Sequence, residues 1–200
     1  MLGDHNVQNC LAAIAVALEM NIKTDAIHEA LVAFGGVGRR FETKGVSDGV
    51  TIIDDYGHHP AEIEATLRAI REQCAGRLLV AFQPHRYSRT QHLLSEFASC
   101  FGEADLLWIT EVYAASEEPI ADIHGQRLVE AIAATGQPAA FAATLDLLRN
   151  KVRQALKPGD VAVFLGAGDI TQVAHALAQD FHMTGTTHAQ ALRELVSTES

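Results

Sequence analysis

The sequence predicts an α/β fold, a mostly parallel sheet covered by helices on both faces and preceded by a short helical piece. Two observations carry this. From Phe41 onward, short apolar runs such as 50–53 and 78–82 alternate with helix-length amphipathic segments, the pattern that a parallel sheet with crossover helices requires. Before Gly35 no strand-like run occurs, and apolar residues recur at helical spacing.

The elements follow in order. A first helix carries Val7, Leu11, Ile14 and Leu18 on one face, with Asp4 as its N-cap. A second begins near Thr24 and Asp25, buries Ile27, Leu31 and Phe34, and stops at Gly35-Gly36. Strands are expected near 41–45, 50–54, 78–82, 105–109, 139–141 and 161–165, and helices near 60–74, 88–101, 124–134, 143–156 and 169–180. Pro60 suits the first position of its helix. Ser88 followed by Gln91 fits a capping box that opens the next. After about Thr184 the chain is polar and rich in Thr and Ser, although 189–196 has the pattern of a short last helix. The expected organisation is therefore a helical piece over 1–35, an α/β domain over 36–184 and a polar tail over 185–200.

Composition narrows the function classes. The chain has 200 residues, 48% hydrophobic and 20% charged, which reads as soluble and globular. A net charge of −10 argues against broad attraction to nucleic acid or to an anionic membrane, so any anion site must be a local cluster of cations. The longest apolar run, 10–18, is shorter than a bilayer span, and no basic region precedes an apolar segment at the N-terminus. Cys10, Cys74 and Cys100 form no CxxC pair and no disulfide framework, so a reducing, cytoplasmic setting is expected.

Two loops hold the chemistry. Asp54-Asp55-Tyr56-Gly57-His58-His59-Pro60 follows one strand, and Phe82-Gln83-Pro84-His85-Arg86-Tyr87-Ser88-Arg89-Thr90 ends another. In a parallel sheet such loops gather on one edge, where ligands bind. Arg86 and Arg89 offer forks suited to carboxylate or phosphate oxygens, and a helix starting at Ser88 adds unpaired N–H groups. The plainer alternative is a solvated basic helix start. Asp54 or Asp55, at a strand's carboxyl end, suits a ribose hydroxyl; alternatively, Asp55 and His59 cap the following helix. His58 and His59 are adjacent, so in extended backbone they point opposite ways, and no third ligand stands at a recognisable spacing; no metal site is expected. Arg39 and Arg40 lie where the helical part meets the α/β part, either to reach a nucleotide or as surface cations. His5 and Asn9, at i and i+4, share a face opposite the apolar stripe, for a ligand or for solvent. Gly166-Ala167-Gly168 is weak evidence of phosphate binding, and close packing at a strand-to-helix turn explains it as well. No GxxxxGK[ST] occurs, so the sequence contains no Walker-type phosphate loop.

Taken together in collinear order, Gly3-Asp4-His5-Asn6-Val7-Gln8-Asn9, Gly38-Arg39-Arg40-Phe41-Glu42, the two loops, Glu111-Val112-Tyr113 and Gly166-Ala167-Gly168-Asp169-Ile170 resemble the Mur ligase family. The resemblance lies in the branch that joins L-alanine to UDP-N-acetylmuramate. It covers nearly the whole chain apart from the polar tail, and its specificity rests on DDYGHHP together with FQPHRYSRT. It implies that 1–35 closes a central ATP-binding domain and that 36–184 is a Rossmann-like C-terminal domain. It implies ATP and Mg2+ as cofactors, with the UDP-sugar domain, the phosphate loop and most magnesium ligands outside this chain, so that the chain alone is expected to be inactive. The implied reaction phosphorylates the sugar acid's lactyl carboxylate, and the amine of L-alanine then displaces phosphate, in peptidoglycan precursor synthesis. By motif it places His5 and Asn9 near adenine, Arg40 at the phosphates and Asp54 or Asp55 at the ribose. His58, His85, Arg86 and Arg89 fall on the muramoyl and alanine side. Three other readings stay open: a murein-peptide ligase of wall recycling, a non-catalytic binding domain, and a metal hydrolase using His58 and His59.

Overall fold

The structure, a computed structural model, describes residues 4–34 and 38–181. It divides into two compact units, 1–38 and 39–200. Gly35-Gly36, the 189–196 segment and the 185–200 tail lie outside the described residues.

The first unit holds α1 (Asp4–Glu19) and α2 (Thr24–Ala33). The expected burial along these helices is not found: Val7 is 55% exposed, Leu11 59% and Phe34 49%, and α2 buries no residue. Two short helices offer too little facing surface to enclose a core, since an apolar stripe needs a second layer.

The second unit is a six-stranded sheet, with β1 (Glu42–Ser47), β2 (Val50–Asp55), β3 (Leu78–Phe82), β4 (Leu106–Thr110), β5 (Ala140–Ala142) and β6 (Val161–Leu165) in the order β1-β2-β6-β3-β4-β5. β1 alone runs antiparallel to its neighbour. It turns into β2 through Asp48-Gly49, with φ of 51° and 74°, the paired positive values that a two-residue hairpin of type I′ needs. Every residue of β2, β3 and β6 is buried, as expected of strands covered on both faces.

The helices are α3 (Pro60–Arg71), α4 (Tyr87–His92), α5 (Leu94–Ser99), α6 (Gly125–Ala134), α7 (Leu145–Ala155) and α8 (Thr171–Asp180). On one face Leu79, Ala81, Ala162 and Phe164 pack with Leu148 and Val152 of α7 and Val173 and Leu177 of α8. Period-two alternation sends Leu78, Val80 and Phe82 to the other face, where Phe82 meets Phe97 and Phe101 at 5.4 Å each. Each fully buried aliphatic or aromatic side chain contributes about 1.5–3 kcal/mol.

The single helix expected over 88–101 is instead two. Leu93 leaves helical geometry at φ −111° and ψ 21° between α4 and α5. The segment carries no proline or glycine, so packing of Phe97 and Phe101 on Phe82 overrides a locally helical sequence. Among the described residues no helix is long and apolar enough to cross a membrane.

Candidate functional site

Because β6 inserts between β2 and β3, the carboxyl ends of β2, β6, β3 and β4 stand side by side. The loops that follow them, 56–59, 166–170, 83–86 and 111–117, form one rim, the place where open α/β sheets bind ligands. Both predicted loops are on it.

A row of rings runs along the rim. The Arg39 guanidinium lies 5.2 Å from the Tyr56 ring centre, and Tyr56 meets His58 edge-on at 5.3 Å. His58 stands 5.9 Å from His85, which lies nearly parallel to Tyr113 at 5.5 Å. The hydrogen bonds assign the protons. His58 Nδ1 donates to the Tyr56 carbonyl at 3.0 Å, because a carbonyl only accepts. His85 Nδ1 accepts from the Arg89 guanidinium at 3.4 Å, because arginine only donates. With those hydrogen bonds, the neutral form of His58 has its acceptor at Nε2 and the neutral form of His85 its donor at Nε2. Burial, then the charges of Arg89, His58 and Arg86, push the His85 imidazole below its ordinary value.

The backbone at Arg86 is strained. It sits at φ 72° and ψ 134°, a region that L side chains avoid at a cost of about 1–3 kcal/mol. Its N–H donates to the Tyr113 carbonyl at 2.8 Å, and its carbonyl accepts from the Thr90 amide at 3.1 Å and the Thr90 hydroxyl at 2.8 Å. The Arg86 side chain is exposed, while His85 and Arg89 are half-buried.

The capping box expected at Ser88 and Gln91 does not form. The helix starts at Tyr87 without a side-chain cap. The Ser88 hydroxyl donates to Glu117 Oε1 at 2.6 Å and its amide to Glu117 Oε2 at 3.0 Å. A carboxylate is a stronger partner for helix-end N–H groups than a neutral hydroxyl or amide. The N–H expected to meet a ligand anion is thus engaged by the chain's own carboxylate.

The two aspartates are also engaged internally. Asp54 is fully buried; its Oδ2 accepts from the Thr171 hydroxyl at 2.6 Å and lies 3.5 Å from Arg39 Nε and Lys44 Nζ. Of the two aspartates expected at a ribose, Asp54 has no exposed surface. Asp55, 8% exposed, accepts the Phe41 and Gly57 amides at 2.7 Å each. Burial pushes the Asp55 carboxyl up, against the pull of those two N–H groups. His59, not Asp55, caps α3: it accepts the Ala61 amide, while Glu62 reaches back to the amides of His58 and His59 at 3.0 and 3.2 Å. Of the arginine pair, Arg39 is tied down through the Gly166 carbonyl at 2.6 Å. Arg40 is exposed, and its charge acts on Asp55 and Glu62.

Asn9 is exposed on α1; of His5 only the helical backbone is described. Among the described residues no three potential ligands gather for a metal. The Gly166-Ala167-Gly168 turn serves close packing. Gly166 has φ 146°, and a Cβ there would meet the Gln83 carbonyl at 2.8 Å; a Cβ on Gly168 would strike the Tyr113 ring at 2.7 Å. Gln83 fastens this turn, donating to Asp169 at 2.7 Å and accepting from the Ile170 amide at 3.1 Å. Beside it a groove of about 280 Å³ opens between Gln83, Thr110, Glu111, Tyr113, Thr144 and Asp169. Gln83, Tyr113 and Glu117 were given no role by the sequence, and Arg39 only the one it shared with Arg40, at a nucleotide or in solvent. Gln83 and Tyr113 lie inside quoted motifs, but Glu117 carries no local signal at all.

Comparison with known proteins agrees with this geometry. Residues 39–168 match the family model described as Mur ligase, glutamate ligase domain. A UDP-N-acetylmuramate–L-alanine ligase from Cereibacter sphaeroides is 53% identical over 178 residues, 88% of this chain and 38% of that protein. One from Anaeromyxobacter is 49% identical over 86% of this chain and 37% of that protein. Among solved structures, the UDP-N-acetylmuramate-alanine ligase of Thermotoga maritima superposes with a TM-score of 0.75 at 30% identity, over 91% of this chain and 39% of that one. A murein peptide ligase from Psychrobacter arcticus gives 0.66 at 26% identity, over 90% and 38%. The chain thus spans about two fifths of the length of the relatives it matches.

Proposed function

Because the chain belongs to the Mur ligase family, we propose that it is the C-terminal part of an ATP-dependent ligase that joins L-alanine to UDP-N-acetylmuramate through an acyl phosphate, in cytoplasmic peptidoglycan precursor synthesis. The observation that carries this is the loop 85–89 beside His58: the His85 imidazole and the Arg89 guanidinium meet on the rim, next to an exposed Arg86 whose backbone is strained. Both steps of such a reaction gather negative charge on carboxylate and phosphoryl oxygens, and positioned cations stabilise it. Arg86 and Arg89 hold the sugar-acid and acceptor carboxylates, and neutral His85 donates from Nε2. His58, with Nε2 open, accepts a proton from the incoming amine.

On the nucleotide side, the exposed Arg40 suits the phosphates. Asp55 rather than the sealed Asp54 is assigned the ribose, and His5 and Asn9 the adenine by motif. ATP supplies the phosphoryl group that activates the carboxylate. The described residues hold no cluster fit for magnesium, so its ligands are assigned to other parts of the full enzyme, as is the phosphate loop that this sequence lacks. The isolated chain is therefore expected not to ligate. L-Alanine is favoured over a peptide acceptor because, among solved structures, the Thermotoga L-alanine ligase superposes with a TM-score of 0.75 at 30% identity and the murein peptide ligase with 0.66 at 26%.

The test is a hybrid in which this chain replaces the matching segment of the Cereibacter ligase. Phosphate release from ATP should require both UDP-N-acetylmuramate and L-alanine and run within about tenfold of the parent. A folded hybrid without turnover, or turnover by the chain alone, contradicts the proposal.

A further inference from the structure

We propose that Glu117 is a positioning residue: its carboxylate, reaching across from the 111–117 loop, locks the turn at Arg86 and so sets the direction of His85, Arg86 and Arg89. A non-glycine residue at φ 72° persists only where its surroundings over-determine it. Beside the Thr90 bonds to the Arg86 carbonyl, the hold on this turn comes from the 111–117 loop. The Tyr113 carbonyl accepts from the Arg86 amide and the Tyr113 amide donates to the Pro84 carbonyl, both at 2.8 Å, while the Tyr113 ring lies along His85. Glu117 completes the hold by taking both the amide and the hydroxyl of Ser88, two residues past the strained position.

The loop is itself bent to bring the carboxylate there. Ala115 and Ser116 both adopt left-handed backbone, at φ 50° and 69°, and the Glu117 amide closes on the Ala114 carbonyl at 3.0 Å. Neither residue is a glycine, so this bend too is held against local preference. Charge suits the role. The Ser88 hydrogen bonds, joined by the charge of Arg86, hold the Glu117 carboxyl below its ordinary range, so it stays ionised as an acceptor. His85 is faced by Arg89, His58, Arg86 and Glu117, and Glu117 is the one group among them that favours its protonation. The consequence for ligation rests on the function proposed above; the clamp itself does not.

The experiment therefore has two arms. In this chain, NMR follows amide exchange at Ser88 and the titration of the His85 ring in Glu117→Ala, Glu117→Gln and Ser88→Ala. Glu117→Ala should lose about tenfold or more of the protection at Ser88 and shift the His85 titration downward, with Glu117→Gln intermediate because it keeps one acceptor oxygen. In the hybrid ligase, Glu117→Ala should lower kcat/KM for the sugar acid by about 10- to 100-fold and leave KM for ATP within about twofold. Folded variants with Ser88 protection and His85 titration like the parent chain overturn the clamp. If the parent hybrid does not turn over, the functional reading falls, and the NMR arm still decides the clamp.

Discussion

Arg86 occupies backbone that glycine would adopt more easily, at φ 72°, yet the sequence places there a long cation whose side chain is exposed. Strain retained at a position whose side chain points outward marks function. Arg86→Gly should therefore raise the Tm, by about 2–4 °C after allowing for glycine's greater freedom in the unfolded chain, as read by thermal denaturation. The same change should depress turnover in the hybrid ligase, since it deletes a guanidinium from the rim. A drop in Tm would mean that the side chain supports the fold rather than the ligand. The residue types on the rim were legible in the sequence because imidazole and guanidinium at a strand's end suit few other tasks. Their partners were not: Glu117 meets Ser88 across 29 positions and Asp54 meets Thr171 across 117, distances that no local pattern encodes.

Among the elements, α3 shows how a local signal and a site share residues. Its start combines Pro60, the His59 cap and Glu62, which holds the amides of both His58 and His59. Glu62→Ala should cost about 1 kcal/mol of stability by chemical denaturation, the usual worth of such a cap. Although its partial burial opposes ionisation, the His58 amide and nearby positive charge hold the Glu62 carboxyl below its ordinary value of 4.5. A carboxylate lowered on folding stabilises above its unfolded value, and that stability is lost as pH falls through the lowered one. Glu62→Gln should accordingly flatten the acid limb of the stability curve below about pH 5 and leave the alkaline side unchanged. The sequence located α3 and the strands within a few residues because their apolar periods are regular. It failed at the break between α4 and α5, where Leu93 carries no breaker and distant phenylalanines decide, and at Ser88, where a distant carboxylate displaced the local cap.

At the scale of the molecule, the 39–200 unit encloses its own core, with both sheet faces covered, whereas the helices of the 1–38 unit leave Val7, Leu11 and Phe34 in the open. Helical periodicity marks which face is apolar but not what covers it. The α/β unit by contrast carries short continuous apolar runs on strands buried on both faces, alternating with helix-length segments, and its architecture followed from that pattern. Its rim gathers the proposed carboxylate-holding side chains, with Arg40 and Asp55 assigned to the nucleotide. The measurement that tests this division most directly is a pair of Michaelis constants in the hybrid ligase carrying Arg89→Ala. Loss of one charged contact to the sugar-acid side should lower kcat/KM for UDP-N-acetylmuramate by about 10- to 100-fold, with KM for ATP changed by less than about twofold. An unchanged kcat/KM for the sugar acid, or a loss confined to ATP, would contradict the assignment of this rim.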